Sequence, residues 1–383
     1  VRINTLSTTD VIRNAELGDI VAMLQDQRSR RLDVAVPATD MHSEGGRIRV
    51  SGLPSDLTED GFFDVNGLYT PTVVADEGLS IKLDIPRQYL RRLREQHIEL
   101  FDANVNGWLD KNKDKSYLLR MFRDDGADNE GRGVLRALLS NRYKSIDNLE
   151  AVLAALEGIK NAGIDPFSLS FHGDLTDRRM YLRIESDQVV ARAEKLLTNY
   201  RSPFGGQLGR DNPVINGGFV LTNSEVGNGR FTLTPRFTVQ VCTNGMTVER
   251  DAFRATHLGA ELGDGVIDWS LEVERKNNDL IIAQTTDSVR KFLDPAYVQA
   301  QVDLIEGKAE KPVQAEIIKN VSKSMGFTKD QEENILGMFI KGSDMTAGGV
   351  MQAVTAVAVN EPDGDVAAEL ESKALDVLEL AAR

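Results

Sequence analysis

Cysteine is almost missing from this chain: its 383 residues include one, Cys242. A single thiol excludes an internal disulfide and a cysteine zinc cluster, and it fits a reducing compartment. The four histidines, His42, His97, His172 and His257, share no ligand spacing, so no metal is expected. No apolar run is long enough to cross a bilayer, and the first residues lack the basic-then-apolar order of a secretory signal. A cytoplasmic location, without membrane association, is the expectation. A Walker loop, a dinucleotide fingerprint and a Gly-x-Ser-x-Gly elbow are all missing. No cofactor and no catalytic residue are therefore assigned. Carboxylates are plentiful without forming a nuclease arrangement, which leaves a two-metal site open.

What is present is ordinary globular composition, 41% apolar and 27% charged, enough to bury a large core. The net charge is −14, which argues against a uniformly basic nucleic-acid binder. The charge is uneven. Residues 1–85 carry 8 Lys/Arg and 14 Asp/Glu, residues 86–240 carry 23 and 20, and residues 241–383 carry 14 and 25. The pattern reads either as a basic middle with an acidic appendage or as a nearly neutral centre.

Hydrophobic periodicity divides the chain into an N-terminal arm (1–80), a central α+β domain (81–275) and a helical C-terminal region (276–383). A helix is expected before residue 28, then strands and loops over 34–84. A helix opens at Ile85-Pro86 and carries Tyr89, Leu90 and Leu93. Residues 117–123 read as a strand and 135–139 as a short helix. Leu149, Val152, Leu153, Leu156 and Ile159 follow helical spacing. Phe167, Leu169 and Phe171, then Met180, Leu182 and Ile184, alternate with polar residues and read as two half-buried strands. A helix is expected over 189–200. Gly227-Asn228-Gly229 joins two further strands as a hairpin. Helices follow to the end, one with a Thr328/Gln331 capping box. The fold class is α+β: an antiparallel sheet backed by helices, with a helical C-terminal region.

The most distinctive stretch is 218–246. Its Asn223-Ser224-Glu225, Gly227 and Arg236, followed by Cys242-Thr243-Asn244-Gly245-Met246, resemble the pattern of the phage/plasmid-like protein family of unknown function. Leu138-Leu139-Ser140-Asn141-Arg142-Tyr143-Lys144 is similar to a second element of that family. The resemblance covers roughly residues 80–360. Asn244-Gly245 is a strong turn signal, since both residues tolerate positive φ. Cys242 reads as a small buried hydrophobe with Thr243 capping the turn; alternatively, the Gly-rich turns form an anion nest.

The polar face of the central sheet carries the functional reading. Arg179, Tyr181 and Arg183 project from one strand and Arg236 from another; Arg142, Tyr143 and Lys144 repeat the basic-aromatic mixture. Arginine neutralises phosphates and a tyrosine ring stacks on an unpaired base. The plain alternative is a solvated sheet face. The element order loosely resembles the phage single-strand annealing recombinases of the Redβ and Erf type. That resemblance implies a non-enzymatic protein for phage or plasmid recombination or replication. Its implied partner is single-stranded DNA, and its implied assembly is a homo-oligomeric ring or filament. The alternative is a phage accessory protein that binds a host protein or itself, with no nucleic-acid role.

Overall fold

The computed structural model describes residues 11–53, 56–58, 61–63, 65–123, 132–141, 146–255 and 271–383. In chain order β1 (Ile12–Glu16) leads into α1 (Leu17–Arg30), then β2 (Arg31–Pro37), β3 (Met41–Glu44), β4 (Arg47–Val50), β5 (Asp56–Thr58), β6 (Gly61–Phe63) and β7 (Gly67–Pro71). Helices α2 (Val73–Lys82), α3 (Arg87–Gln96) and α4 (Ile98–Lys111) precede β8 (Ser116–Arg123) and β9 (Arg132–Ser140). After α5 (Asn148–Asn161) come β10 (Leu169–Leu175), β11 (Met180–Arg192), α6 (Glu194–Leu197), β12 (Val214–Asn223), β13 (Phe231–Val239), β14 (Gly245–Thr247) and β15 (Phe253–Ala255). Six helices close the chain: α7 (Leu271–Phe292), α8 (Pro295–Ala309), α9 (Ile317–Met325), α10 (Lys329–Gly342), α11 (Ala347–Asn360) and α12 (Gly364–Ala381).

The class is α+β, with two larger sheets that are mostly antiparallel and a helical C-terminal region. One sheet has the order β2-β8-β9-β7-β4-β3, with β7 and β9 parallel. Its core, around Leu119, Met121 and Leu135, packs against Leu79 of α2, Leu90 of α3 and Phe101 of α4. The other sheet has the order β1-β10-β11-β12-β13-β14, with β15 also on β13. One of its faces, with Leu182, Phe219 and Leu233, packs against α1, α5 and α7. A further core joins Ile215, Phe237 and Met246 to α6 and α8–α12.

Several expectations give way here. The first larger sheet draws on residues 31–140, so the boundary at residue 80 runs through α2. Residues 135–139 belong to β9, a strand between β8 and β7; a short apolar run has no periodicity that separates strand from buried helix. Over 189–192 the chain continues β11 past an irregularity after Ser186, and Val190 pairs with Asn216. Only Glu194–Leu197 is helical. Phe167 lies in a 3-10 turn and is 98% exposed, while Phe171 is half-buried. The acidic C-terminal part is no appendage, because it shares a core with the central sheet.

The last helix positions the site. Asp363 caps it, accepting from the backbone N–H of Asp365 at 2.8 Å. Ala367, Leu370, Ala374, Val377, Leu378 and Ala381 form its buried stripe. Glu371 falls on the same stripe, one turn after Ala367, and is buried with it.

Candidate functional site

Register fixes which side chains share the polar face of the second sheet. Tyr181, Thr222, Thr232 and Arg254 stand opposite one another across β11, β12, β13 and β15. The next row on that face is Arg183, Val220 and Thr234. The row after it is Glu185, Gly218, Arg236 and Thr247. Gly218 has no side chain, so the Arg236 guanidinium crosses β12 to the Glu185 carboxylate.

Helix α12 covers much of this face. Glu371 Oε1 lies 3.0 Å from Arg236 Nη2, and Glu371 Oε2 lies 3.5 Å from Arg183 Nε. Arg183 Nη1 also donates to Asp174 Oδ2 at 2.6 Å, and Arg13 pairs with the same carboxylate. Three guanidiniums and three carboxylates thus form one alternating chain, which suits their burial. Burial alone would raise the Glu371 carboxyl, but the charges of Arg236 and Arg183 outweigh it and hold it below the usual range. Tyr181 is buried and donates to Asp365 Oδ1 at 2.8 Å. Burial, with the Asp365 charge beside it, pushes its hydroxyl up.

These contacts correct part of the site read from sequence. Arg183 and Arg236 are spent on buried carboxylates and present no charge to a phosphate in this structure. The Tyr181 ring is enclosed and offers no stacking platform. Sequence patterning places such residues on a polar face, but it does not reveal that a helix lies over them. Arg142, Tyr143 and Lys144 lie outside the described residues. Of the seven basic and aromatic residues singled out, Arg179 alone among those described keeps a half-buried guanidinium at the edge of open space.

The motif residues turn out to hold the frame together. Asn223 Nδ2 donates to Ile146 O at 2.8 Å and Asn148 Oδ1 at 2.9 Å. Ser224 donates to Arg178 O at 2.7 Å. Glu225 accepts from Asn148 N at 2.6 Å and faces Arg120 and Arg136, each at 3.6 Å. It thereby joins the two larger sheets. Gly227 has φ +81°, the left-handed conformation its turn needs. In the second motif the positive φ falls on Thr243, at 57°, and on neither Asn244 nor Gly245. Gly245 is required for space: a Cβ there would lie 1.9 Å from Arg236 Nη2. Asn244 is buried and donates to Tyr200 Oη at 3.1 Å and to Gln352 O at 3.2 Å. Thr243 N donates to Val239 O at 2.8 Å, so the turn uses this N–H internally and does not aim it at an anion. Cys242 and Met246 are buried; burial pushes the Cys242 thiol up to about 11, against a nucleophilic thiolate.

Between the polar face and α12 lies a cleft of about 840 Å³. Thr222 and Thr232 stand half-buried on its strand side, and Asp365, Glu369 and Glu371 line it from the helix. Arg178 also lines it but is turned to Glu77, with Nη1 2.6 Å from Oε2. Arg254 is held by Glu249 at 3.0 Å. Arg179 and Arg230 differ: among the described residues neither has a carboxylate within salt-bridge distance. Arg179 Nε donates to Asn228 O at 2.6 Å, and its Nη1 lies 3.4 Å from Tyr181 Oη. Arg230 is exposed. No protein-family model, curated protein or solved structure matches the chain. Among the described residues no three His, Cys, Asp or Glu side chains come together as a metal site.

Arg230, Arg254 and Asp365 went unnoticed in the sequence. Arg230 had a usable signal, since it directly follows Gly227-Asn228-Gly229 at the end of the hairpin turn. Asp365 had none, because nothing local ties it to Tyr181, 184 residues away.

Proposed function

We propose that this protein is a non-enzymatic single-stranded DNA-binding or annealing protein acting in phage or plasmid recombination or replication, in the cytoplasm of a bacterial host. The observation that carries the reading is the pair Arg179 and Arg230, two guanidiniums at one cleft with no carboxylate partner among the described residues. Guanidinium forks bind phosphate oxygens, and hydroxyls such as Thr222 and Thr232 add neutral donors. The phage or plasmid setting is carried over from the resemblance read in residues 218–246. The binding site is moved from the sheet face as a whole to the cleft. Among the described residues, no helix is long and apolar enough to cross a membrane.

Filter binding of single- and double-stranded DNA at low and moderate salt tests the reading. Single strands are expected to be retained, with a log–log salt slope that falls by about 0.7 for each phosphate left unneutralised. Arg179→Ala and Arg230→Ala should each weaken binding and flatten the slope. No retention of single strands at low salt would overturn the proposal.

A second reading has its own observation. Val73, Ile81, Ile98, Leu100 and Trp108, on α2 and α4, are exposed. Covering such side chains would remove apolar area from water, so a protein partner or self-association into a ring or filament is the alternative. Size-exclusion chromatography with light scattering separates them: a monomer at micromolar concentration, with and without DNA, counts against self-association.

A further inference from the structure

We infer that the cleft takes the phosphorylated end of a nucleotide chain and not its interior. The inference rests on the nucleic-acid reading above and narrows the ligand to a nucleotide phosphomonoester. Its basis is that the two walls of the cleft differ in charge.

The strand wall is basic. Arg179 precedes β11 and Arg230 precedes β13, and the turn at Asn228-Gly229 lies beside both. Gly229 belongs to this arrangement, because a Cβ there would come within 3.3 Å of Arg179 Nε. The helix wall is acidic. Two of its three carboxylates have cation partners: Glu371 has Arg183 and Arg236, and Glu369 has Lys373 Nζ at 2.5 Å. Asp365 differs. It accepts from Tyr181 Oη at 2.8 Å and Thr176 Oγ1 at 3.0 Å, and among the described residues it has no Lys or Arg within salt-bridge distance.

A continuous strand carries a negative charge at every linkage. Threading it through would bring phosphates toward the Asp365 carboxylate, where like charges repel. A chain end avoids this conflict. A terminal phosphomonoester ionises a second time near pH ~6, so it brings up to two charges to two unneutralised guanidiniums. The adjoining base then offers amino donors to Asp365. The volume also agrees: about 840 Å³ is the size of a site for a small ligand.

The same chemistry can come from a strand end or from a free mononucleotide, and the test separates them. One oligonucleotide sequence is prepared as a linear strand with a 5′ phosphate, with a 3′ phosphate, with hydroxyls at both ends, and as a covalently closed circle. Affinity of the full chain for each is read by fluorescence anisotropy, and a nucleoside monophosphate is titrated as competitor. A phosphorylated linear form should bind about ten-fold more tightly than the circle, the increment expected of a charge-assisted hydrogen bond. That preference should vanish in Arg179→Ala and in Arg230→Ala. In Asp365→Asn it should narrow because the circle binds better. Equal binding of all four forms overturns the end preference and leaves the single-strand reading standing. Binding of the mononucleotide with no binding of any oligonucleotide supports the phosphomonoester and overturns the single-strand reading. Binding of none of these ligands overturns both.

Discussion

Glu371 of the last helix and Arg236 of β13 meet at 3.0 Å, with only 7% and 4% of their side chains exposed. This pair closes α12 over the polar face of the sheet, and Arg183 shares the same carboxylate. Glu371 also lines the helix wall of the cleft.

Replacing Glu371 should therefore destabilise the whole C-terminal part. Glu371→Ala leaves Arg183 and Arg236 short of a buried counter-charge, a loss of about 3–5 kcal/mol by analogy with other broken buried pairs. Urea unfolding at neutral pH measures it. The contribution also has a pH sign. The folded carboxyl titrates below its ordinary value, so its stabilisation is complete above that value and is lost as pH falls through the folded one. The wild-type advantage over Glu371→Ala should shrink in acid; an advantage independent of pH would show that the ion pair is not its source.

Gly245 and Arg236 should be coupled. A Cβ at Gly245 would lie 1.9 Å from Arg236 Nη2, so Gly245→Ala forces the guanidinium away from Glu371 and Glu185. Overpacking of this kind costs about 1–3 kcal/mol. In an Arg236→Met background the same substitution should cost less, since the more flexible, uncharged chain has no fixed partners to lose. A double-mutant cycle reads the difference, and simple additivity would mean that the two residues are independent.

Asp76 should shift stability with pH in the opposite sense to Glu371. Desolvation pushes its carboxyl up to about 6, although Arg94 Nη2 lies 2.7 Å from Oδ1. A folded value above the ordinary one contributes stability that is complete below the ordinary value and is lost as pH rises through about 6. Asp76→Asn removes this titration. Its stability relative to wild type should therefore increase as pH rises through that range, measured by urea unfolding at several pH values. A flat difference would refute the assignment.

Local signals were enough wherever a contact is short in sequence. The hairpin β12–β13 forms around Gly227-Asn228-Gly229, and its register places Leu221 opposite Leu233, as alternation requires. The Thr328/Gln331 capping box closes both of its hydrogen bonds. The apolar stripe of α12 packs as its spacing dictates. Alternation also put Tyr181, Arg183 and Arg236 correctly on one face, opposite Met180, Leu182 and Phe237.

Whether that face meets solvent was a different matter, and only the tertiary structure decided it. Arg236 and Glu371 are 135 residues apart, and Tyr181 and Asp365 are 184 apart. Periodicity reports which side of an element is polar, because side-chain direction follows from backbone geometry alone. It does not report what lies against that side. Two distant carboxylates turned three of the exposed binding residues expected from sequence into an enclosed framework: Glu371 holds the Arg183 and Arg236 guanidiniums, which burial leaves in need of a counter-charge, and Asp365 holds Tyr181. Arg179 and Arg230 stayed available for the complementary reason: no described carboxylate lies within salt-bridge distance of either.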